Sequence, residues 1–401
     1  MPSSPKTQHA AAWVLPIAGP PIRDGYVVVE GGEIIDVGAM PPGSRVPRVA
    51  ILPGLVNAHT HLELSWMRGK VPPGGSMPEW AQRLIALRMS TSAGPSGPAP
   101  AIVDAIAEAR ASGTALVGDV TNSLATYDLL AASPLSATVF FEMLGFNPGV
   151  ALPLMAVAKQ QLGDLRLVDR VRPVLVPHAP YSVSPDLMRA IAAVSAGRPL
   201  SMHVGESQDE VRFLKEGVGP WRELLERLGA WNPHWPIPGC GPIEYLNRVG
   251  LLTDRLLAVH CVQLTDEELG RLAAIGATIV TSPRSNRWTG AGVPPIDRFY
   301  ASGATVAIGT DSLASVEDLN LFNEMAAVRA IAPGVAARRI LRSATLDGAR
   351  ALGFGGELGA IAPGLRAELI GVRIPADVGD AAEDVEEYLV RGVSPSDITW
   401  L

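Results

Sequence analysis

From Ile51 onward, short apolar runs alternate with longer segments of helical period. That alternation restricts the chain to βα units around a parallel sheet. Eight runs read as strands: ILPGLVN, TALVGDV, ATVFFEM, VRPVLVP, PLSMHV, LLAVHC, ATIVTS and ATVAIG. Helical segments lie between them, among them PEWAQRLIALRMS, AIVDAIAEARASG, SPDLMRAIAAVSAG, TDEELGRLAAIG and DLNLFNEMAAVRAI. Ser184 before Pro185, and Thr265 before an acidic first turn, are good helix starts. Eight strand–helix units spell an α/β fold, a (β/α)8 TIM-type barrel over residues 51–352. The 401 residues suffice for a barrel of about 250 residues and a smaller unit.

Outside the barrel the texture is short strands and turns. WVLPIA, YVVVEGG and EIIDVGA precede it, with Gly-Gly at a hairpin turn. GELGAIAPGLRAELIGVRIP and VEEYLVRGV follow it and also read as short strands. Residues 1–50 and 353–401 are therefore expected to form one small β-sandwich domain built from both termini. Thr91–Ala101 and Trp231–Pro242 read as loops by composition. His234, in the second, is either a ligand or a solvated loop histidine. AAAWVLPIAG has the look of a secretory apolar segment, but one Lys precedes it and a Pro breaks it, so it reads as a first strand. No run of about 20 apolar residues spans a membrane.

The chemistry is carried by six residues spread over about 250 positions: His59 and His61, His203 and Glu206, His260, and Asp311. Each stands at or just past the end of a strand-like run, where a barrel enzyme collects its site. Singly, His260 reads as a core histidine and Asp311 as a turn or cap residue. His59 and His61 differ, because positions i and i+2 of a strand point to one side. As an ordered set the six read as one mononuclear metal site. A divalent ion held by imidazoles and a carboxylate lowers the pKa of a bound water to about 7 and makes it a nucleophile. Zinc is the expected ion, with ferrous iron accepting the same ligands.

Composition narrows the partners. The formal charge is −7 and no dense Lys/Arg block is present, which excludes nucleic acid and anionic membrane as expected partners. A small-molecule substrate remains, and a homo-oligomer stays open. Two cysteines, Cys240 and Cys261, fit a reducing cytoplasm.

LPGLVNAHTHLE, HVGES, AVHCVQLTDEE, SPRSN and IGTDSLAS resemble, in order and spacing, the amidohydrolase superfamily, over nearly the whole chain. The likeness is to its mononuclear deaminase and chlorohydrolase branch. It implies His59, His61, His203 and Asp311 as metal ligands, Glu206 as proton shuttle, and His260 as a catalytic group that holds the water or polarises the substrate. A two-metal member would carry a Lys after the fourth strand, where VPHAPYSVS has none. His178 stands there, as a substrate contact or a brace for the loop. NAHTHLELS, FFEMLG, HAPYSVS, SPRSN and GTDSLAS together look like the aminodeoxyfutalosine deaminases, which release ammonia from an adenine base whose nucleoside side chain ends in a benzoate. On that likeness Glu142 is a substrate contact, and Arg284 either pairs with the carboxylate or braces the barrel rim. The implied reaction is attack of the activated water on an adenine-type ring with loss of ammonia. The alternatives are deamination of another heterocycle (adenosine, methylthioadenosine or S-adenosylhomocysteine), a triazine-type chlorohydrolase, and a scaffold without activity.

Overall fold

The computed structural model describes residues 5–90 and 99–401. Fourteen strands occur among them. β1 (Thr7–Val14), β2 (Ile22–Glu30), β3 (Glu33–Ala39) and β4 (Val49–Pro53) come first. β5 (Leu55–Thr60), β6 (Thr114–Thr121), β7 (Ser136–Met143) and β8 (Val171–Pro177) form one parallel sheet in that order. β9 (Leu200–Val204), β10 (Leu256–His260), β11 (Thr278–Thr281) and β12 (Thr305–Ile308) form a second. β13 (Leu369–Arg373) and β14 (Ile398–Trp400) complete the set.

The two parallel sheets adjoin at both seams. At one, His203 N donates to His178 O at 2.9 Å. At the other, a β-bridge joins Thr60 to Asp311, and Asp311 N donates to His59 O at 3.0 Å. The strands are buried on both sides, as parallel strands under covering helices must be. Helices follow where the caps indicate. Ser184 Oγ accepts from Leu187 N, and Thr265 and Glu268 make a reciprocal capping box.

The terminal sheet runs β14-β13-β4-β1-β2-β3. Four readings change here. ILPGLVN is two strands divided at Gly54. β4 belongs to the terminal sheet and β5 to the parallel one, so the terminal sheet reaches Pro53. Gly54 is needed at this crossing, because a Cβ there would stand 2.5 Å from Ala115 Cβ. Next, the terminal strands make a single six-stranded sheet rather than a sandwich. VEEYLVRGV lies in the helix Ala382–Val390 and a following turn, not in a strand. Its Val385, Leu389 and Val390 fall on one helical face and are buried, while Glu383 and Asp384 sit in the first turn. Finally, residues 91–98 of the Thr91–Ala101 loop lie outside the described residues, and Ala99 begins the helix Ala99–Ala111.

The Trp231–Pro242 loop is anchored by its tryptophans. Trp235 is buried and stacks on Phe213 with centroids 4.8 Å apart, and Trp231 stacks on Phe146 at 5.7 Å. His234 is exposed on it, far in character from a ligand. Cys240 and Cys261 are free thiols. No helix among the described residues is long and apolar enough to cross a membrane.

Candidate active site

The C-terminal ends of the parallel strands converge on one spot. His59 is the penultimate residue of β5, and His61 follows just past its end. Their Nε2 atoms come within 3.2 Å of each other. Asp311, beyond β12, places Oδ1 at 3.8 Å from His59 Nε2 and 3.6 Å from His61 Nε2. Its other oxygen, Oδ2, accepts from Ser285 Oγ at 2.6 Å. His203, from β9, brings a ligand atom within 4.8 Å of those of His59 and His61. Backbone strain gathers here as well: His260, Cys261 and Asp311 have φ of 74°, 53° and 61°. Such values in non-glycine residues persist only where the surroundings enforce them.

These residues fit a metal ion. His203 Nε2 is buried without a hydrogen-bond partner. Burial holds the His61 ring down to about 3 and the His59 and His203 rings well below their ordinary range, so all three are neutral. Neutral nitrogens brought tip to tip out of water are compensated by a cation between them. Two nitrogens on one tetrahedral zinc, each at about 2.0–2.1 Å, lie about 3.3 Å apart. His59, His61, His203 and Asp311 are the set that would hold it.

This set has a pH consequence. Burial pushes the Asp311 carboxyl up to about 6, against the lowering effect of the Ser285 hydrogen bond. Its proton would therefore compete with a bound metal below that pH, while the imidazoles stay unprotonated. Metal affinity is expected to be level from about pH 7 to 8 and to fall about tenfold per pH unit below 6, with the slope of one proton. A competition titration between pH 5 and 8 checks this. A slope of two or three protons near pH 6.5 would mean that the histidines titrate there instead.

Around these four residues stands a second group. His260 Nε2 meets His203 Nδ1 at 3.0 Å, and His260 Nδ1 meets the Asn286 amide at 2.9 Å. This chain orients both rings. Glu206 lies between them, with Oε1 at 3.6 Å from His260 Nε2 and Oε2 at 3.8 Å from His203 Nδ1. It is 2 % exposed, and Oε2 has no hydrogen-bond partner. Burial, then the charges of Asp311 and Glu210, raise its carboxyl well above the ordinary range. The shift favours the protonated form, a carboxylic acid with a proton to give. Glu142 on β7 places Oε1 at 3.6 Å from His203 Nε2 and is pushed up to about 8 by burial, against the Asn122 hydrogen bond. His178, just past β8, is held by Ser182 Oγ at 2.6 Å, and burial lowers it to about 4.

A cavity of about 410 Å³ opens above this floor, lined at the bottom by His61, Glu142, His178, His203, Glu206 and Asp311. Arg284 is not among its lining residues. Its Nε donates to Glu324 Oε1 at 2.7 Å, Nη1 to Asp318 Oδ1 at 3.0 Å and Nη2 to Asp318 O at 2.9 Å. It sits at the correct strand end, but on the helix Pro283–Thr289 it is turned away from Ser285 and Asn286, which face the site. The expected substrate contact is thus a brace at the rim.

The cation lining the cavity among the described residues is Arg88. Its Nη1 donates to Asn122 Oδ1 at 2.9 Å and Nη2 to Glu63 Oε1 at 2.5 Å, while Asn122 Nδ2 donates to Glu142 Oε2 at 2.9 Å. Sequence reading missed Arg88, because in PEWAQRLIALRMS it looks like a solvated helix residue. Asn122 was within reach: it stands just past β6, a position like that of His61 after β5 and His178 after β8.

Residues 50–390 match the amidohydrolase family. The chain belongs to that family. Among amidohydrolases, the aminodeoxyfutalosine deaminase of Deinococcus radiodurans is 35% identical over 317 residues, covering 76% of this chain and 73% of that one. The 5-methylthioadenosine/S-adenosylhomocysteine deaminase of Moorella thermoacetica is 29% identical, covering 96% and 90%. A solved adenosine deaminase from Xanthomonas campestris with bound zinc superposes with a TM-score of 0.79 at 28% identity, covering 98% of this chain and 90% of that one.

Proposed function

We propose that this amidohydrolase is a zinc-dependent deaminase of an adenine-type nucleoside, built on a (β/α)8 barrel, and that its substrate is 6-amino-6-deoxyfutalosine. The observation that carries the reading is Glu206: a buried carboxyl lining the cavity, with a free oxygen and a burial that favours its protonated form. Hydrolysis of a ring amine needs such a donor, since the ring nitrogen must gain a proton as water adds beside it. The metal, when held by His59, His61, His203 and Asp311, supplies an activated water at neutral pH. Asp311 Oδ1 faces the same spot and takes the proton that the water gives up. Glu206 protonates the ring nitrogen next to the carbon under attack, and His260 steadies the adding oxygen. Asp311 then passes its proton to the amine, the added hydroxyl returns one to Glu206 as the carbon–nitrogen bond breaks, and ammonia leaves with both carboxyl groups restored. Glu142 and His178, on the cavity wall, are the contacts for the base and sugar.

The aminodeoxyfutalosine reading is supported by the Deinococcus relative and by Arg88 in the cavity wall. Arg88→Ala is expected to cost kcat/KM about 10- to 150-fold on the carboxylate-bearing substrate, the worth of one charge-assisted pair at roughly 1.5–3 kcal/mol. Adenosine turnover should fall less, by what the loosened Asn122–Glu142 contact costs. Arg284→Ala is expected to behave differently. It leaves Glu324 buried and unpaired, which costs about 3–5 kcal/mol of stability. Whatever activity survives should fall equally on both substrates. A selective loss in Arg284→Ala, with none in Arg88→Ala, would reverse the two assignments.

A second reading has its own support. Leu224, Leu225, Leu228 and Ala230 also line the cavity, which suits an apolar 5′ substituent such as a methylthio group. The experiment that separates the two is an ammonia-release assay over 6-amino-6-deoxyfutalosine, methylthioadenosine, S-adenosylhomocysteine, adenosine and adenine. The expected order of kcat/KM is aminodeoxyfutalosine, then adenosine, then adenine. Methylthioadenosine in first place would favour the second reading. No turnover of any adenine nucleoside would remove the nucleoside reading, and chloride release from a triazine would replace it.

A further inference from the structure

We propose that Glu210 is a positioning residue for the proton donor: its carboxylate grips the two consecutive backbone N–H groups that set where Glu206 stands. The inference rests on the reading of Glu206 as the acid.

The link from β9 to the helix Gln208–Glu216 must reverse within Gly205, Glu206 and Ser207. Gly205 takes φ 61°, and a Cβ there would stand 2.5 Å from Leu264 Cδ2, so the turn is both left-handed and crowded. A turn so placed leaves its N–H groups buried, where an unpaired donor is costly. Glu210 answers for two of them. From the first turn of the helix its side chain folds back, Oε1 accepting from Gly205 N at 2.8 Å and Oε2 from Glu206 N at 3.0 Å. The residue is 0 % exposed. Ser207 Oγ accepts from Glu210 N at 3.2 Å, and Trp221 Nε1 donates to the same hydroxyl at 3.4 Å, which fixes the helix start.

The charged neighbour that acts on Glu210 across the packing is Glu268, from the helix Asp266–Ile275, and it is a like charge. No ion pair among the described residues includes Glu210. Its compensation is the pair of N–H groups, an expensive arrangement for a helix cap that Ser207 already supplies. The geometry makes sense as a clamp on the next catalytic group. Glu206 Oε2 has no hydrogen bond of its own, so the backbone under it is what holds its carboxyl beside His203 and His260.

Glu210→Gln keeps the shape but turns an NH2 toward one of the two donors. Its kcat is expected to fall about 10- to 100-fold, as for a displacement on the order of 1 Å at a reacting group. KM should move less than about twofold, with metal content near that of wild type. The discriminating step is the double variant with Glu206→Gln. If Glu210 acts through Glu206, the double is no slower than Glu206→Gln by more than about twofold. Losses that multiply would mean a general structural role and overturn the proposal, as would wild-type kcat in Glu210→Gln. Should Glu210→Gln not fold, Glu210→Asp keeps the charge but is too short for both N–H groups, and carries the same expectations. Near-wild-type activity of Glu206→Gln alone would instead remove the proton-donor reading.

Discussion

Glu206→Gln is expected to keep its metal and lose on the order of 10²-fold or more in kcat. The change preserves size and most of the hydrogen-bonding shape while removing the proton that can be handed over. Nothing in the fold depends on that proton, since Glu206 Oε2 makes no hydrogen bond. Melting temperature should therefore stay near that of wild type. The pH dependence should also change. In wild type, activity should decline on the alkaline side as the raised Glu206 carboxyl ionises. The residual activity of Glu206→Gln should lack that limb. Near-wild-type kcat in the variant would place the acid elsewhere.

The other large effect belongs to the ligands. Purified wild type should carry about one divalent ion per chain, because one set of four donors closes a single site. His61→Ala and Asp311→Ala should each empty it and abolish turnover. Metal analysis reads this directly, and calorimetry reads it again. Wild type should lose thermal stability on chelation, since an ion that binds only the folded chain stabilises it by mass action. The two variants should show no further shift with chelator. Full occupancy in both would dismantle the site as drawn, and two tightly held ions per chain would make it binuclear.

Most of this was legible in the sequence for a physical reason. Parallel strands buried on both faces leave continuous apolar runs, so β6 to β12 stand out, and a barrel gathers its chemistry at their ends. His59, His178, His203, His260 and Asp311 are all found by that rule, and the structure brings them together. What escaped depends on direction rather than position. Arg284 occupies a correct strand end yet turns to Glu324 and Asp318. Arg88 enters from a helix whose pattern carries no mark of the cavity below it. VEEYLVRGV looked like a strand because its apolar residues are β-branched and aromatic, whereas burial of one helical face decided the outcome. The split at Gly54 was hidden because both halves are apolar and only the three-dimensional crossing separates them.

That split bears on how the enzyme comes into being during synthesis. β5 carries His59 and leads into His61, the first two proposed ligands, and a single glycine separates it from β4. β4 lies between β1 and β13 in its sheet, and β13 is made about 320 residues later, so the pairing is among the most non-local in the chain. On a ribosome, the segment bearing His59 and His61 waits with one flank of its neighbour open until the far end of the chain emerges. Maturation of the metal centre should therefore be a late event, with competence for metal arriving only after the two ends of the polypeptide have met.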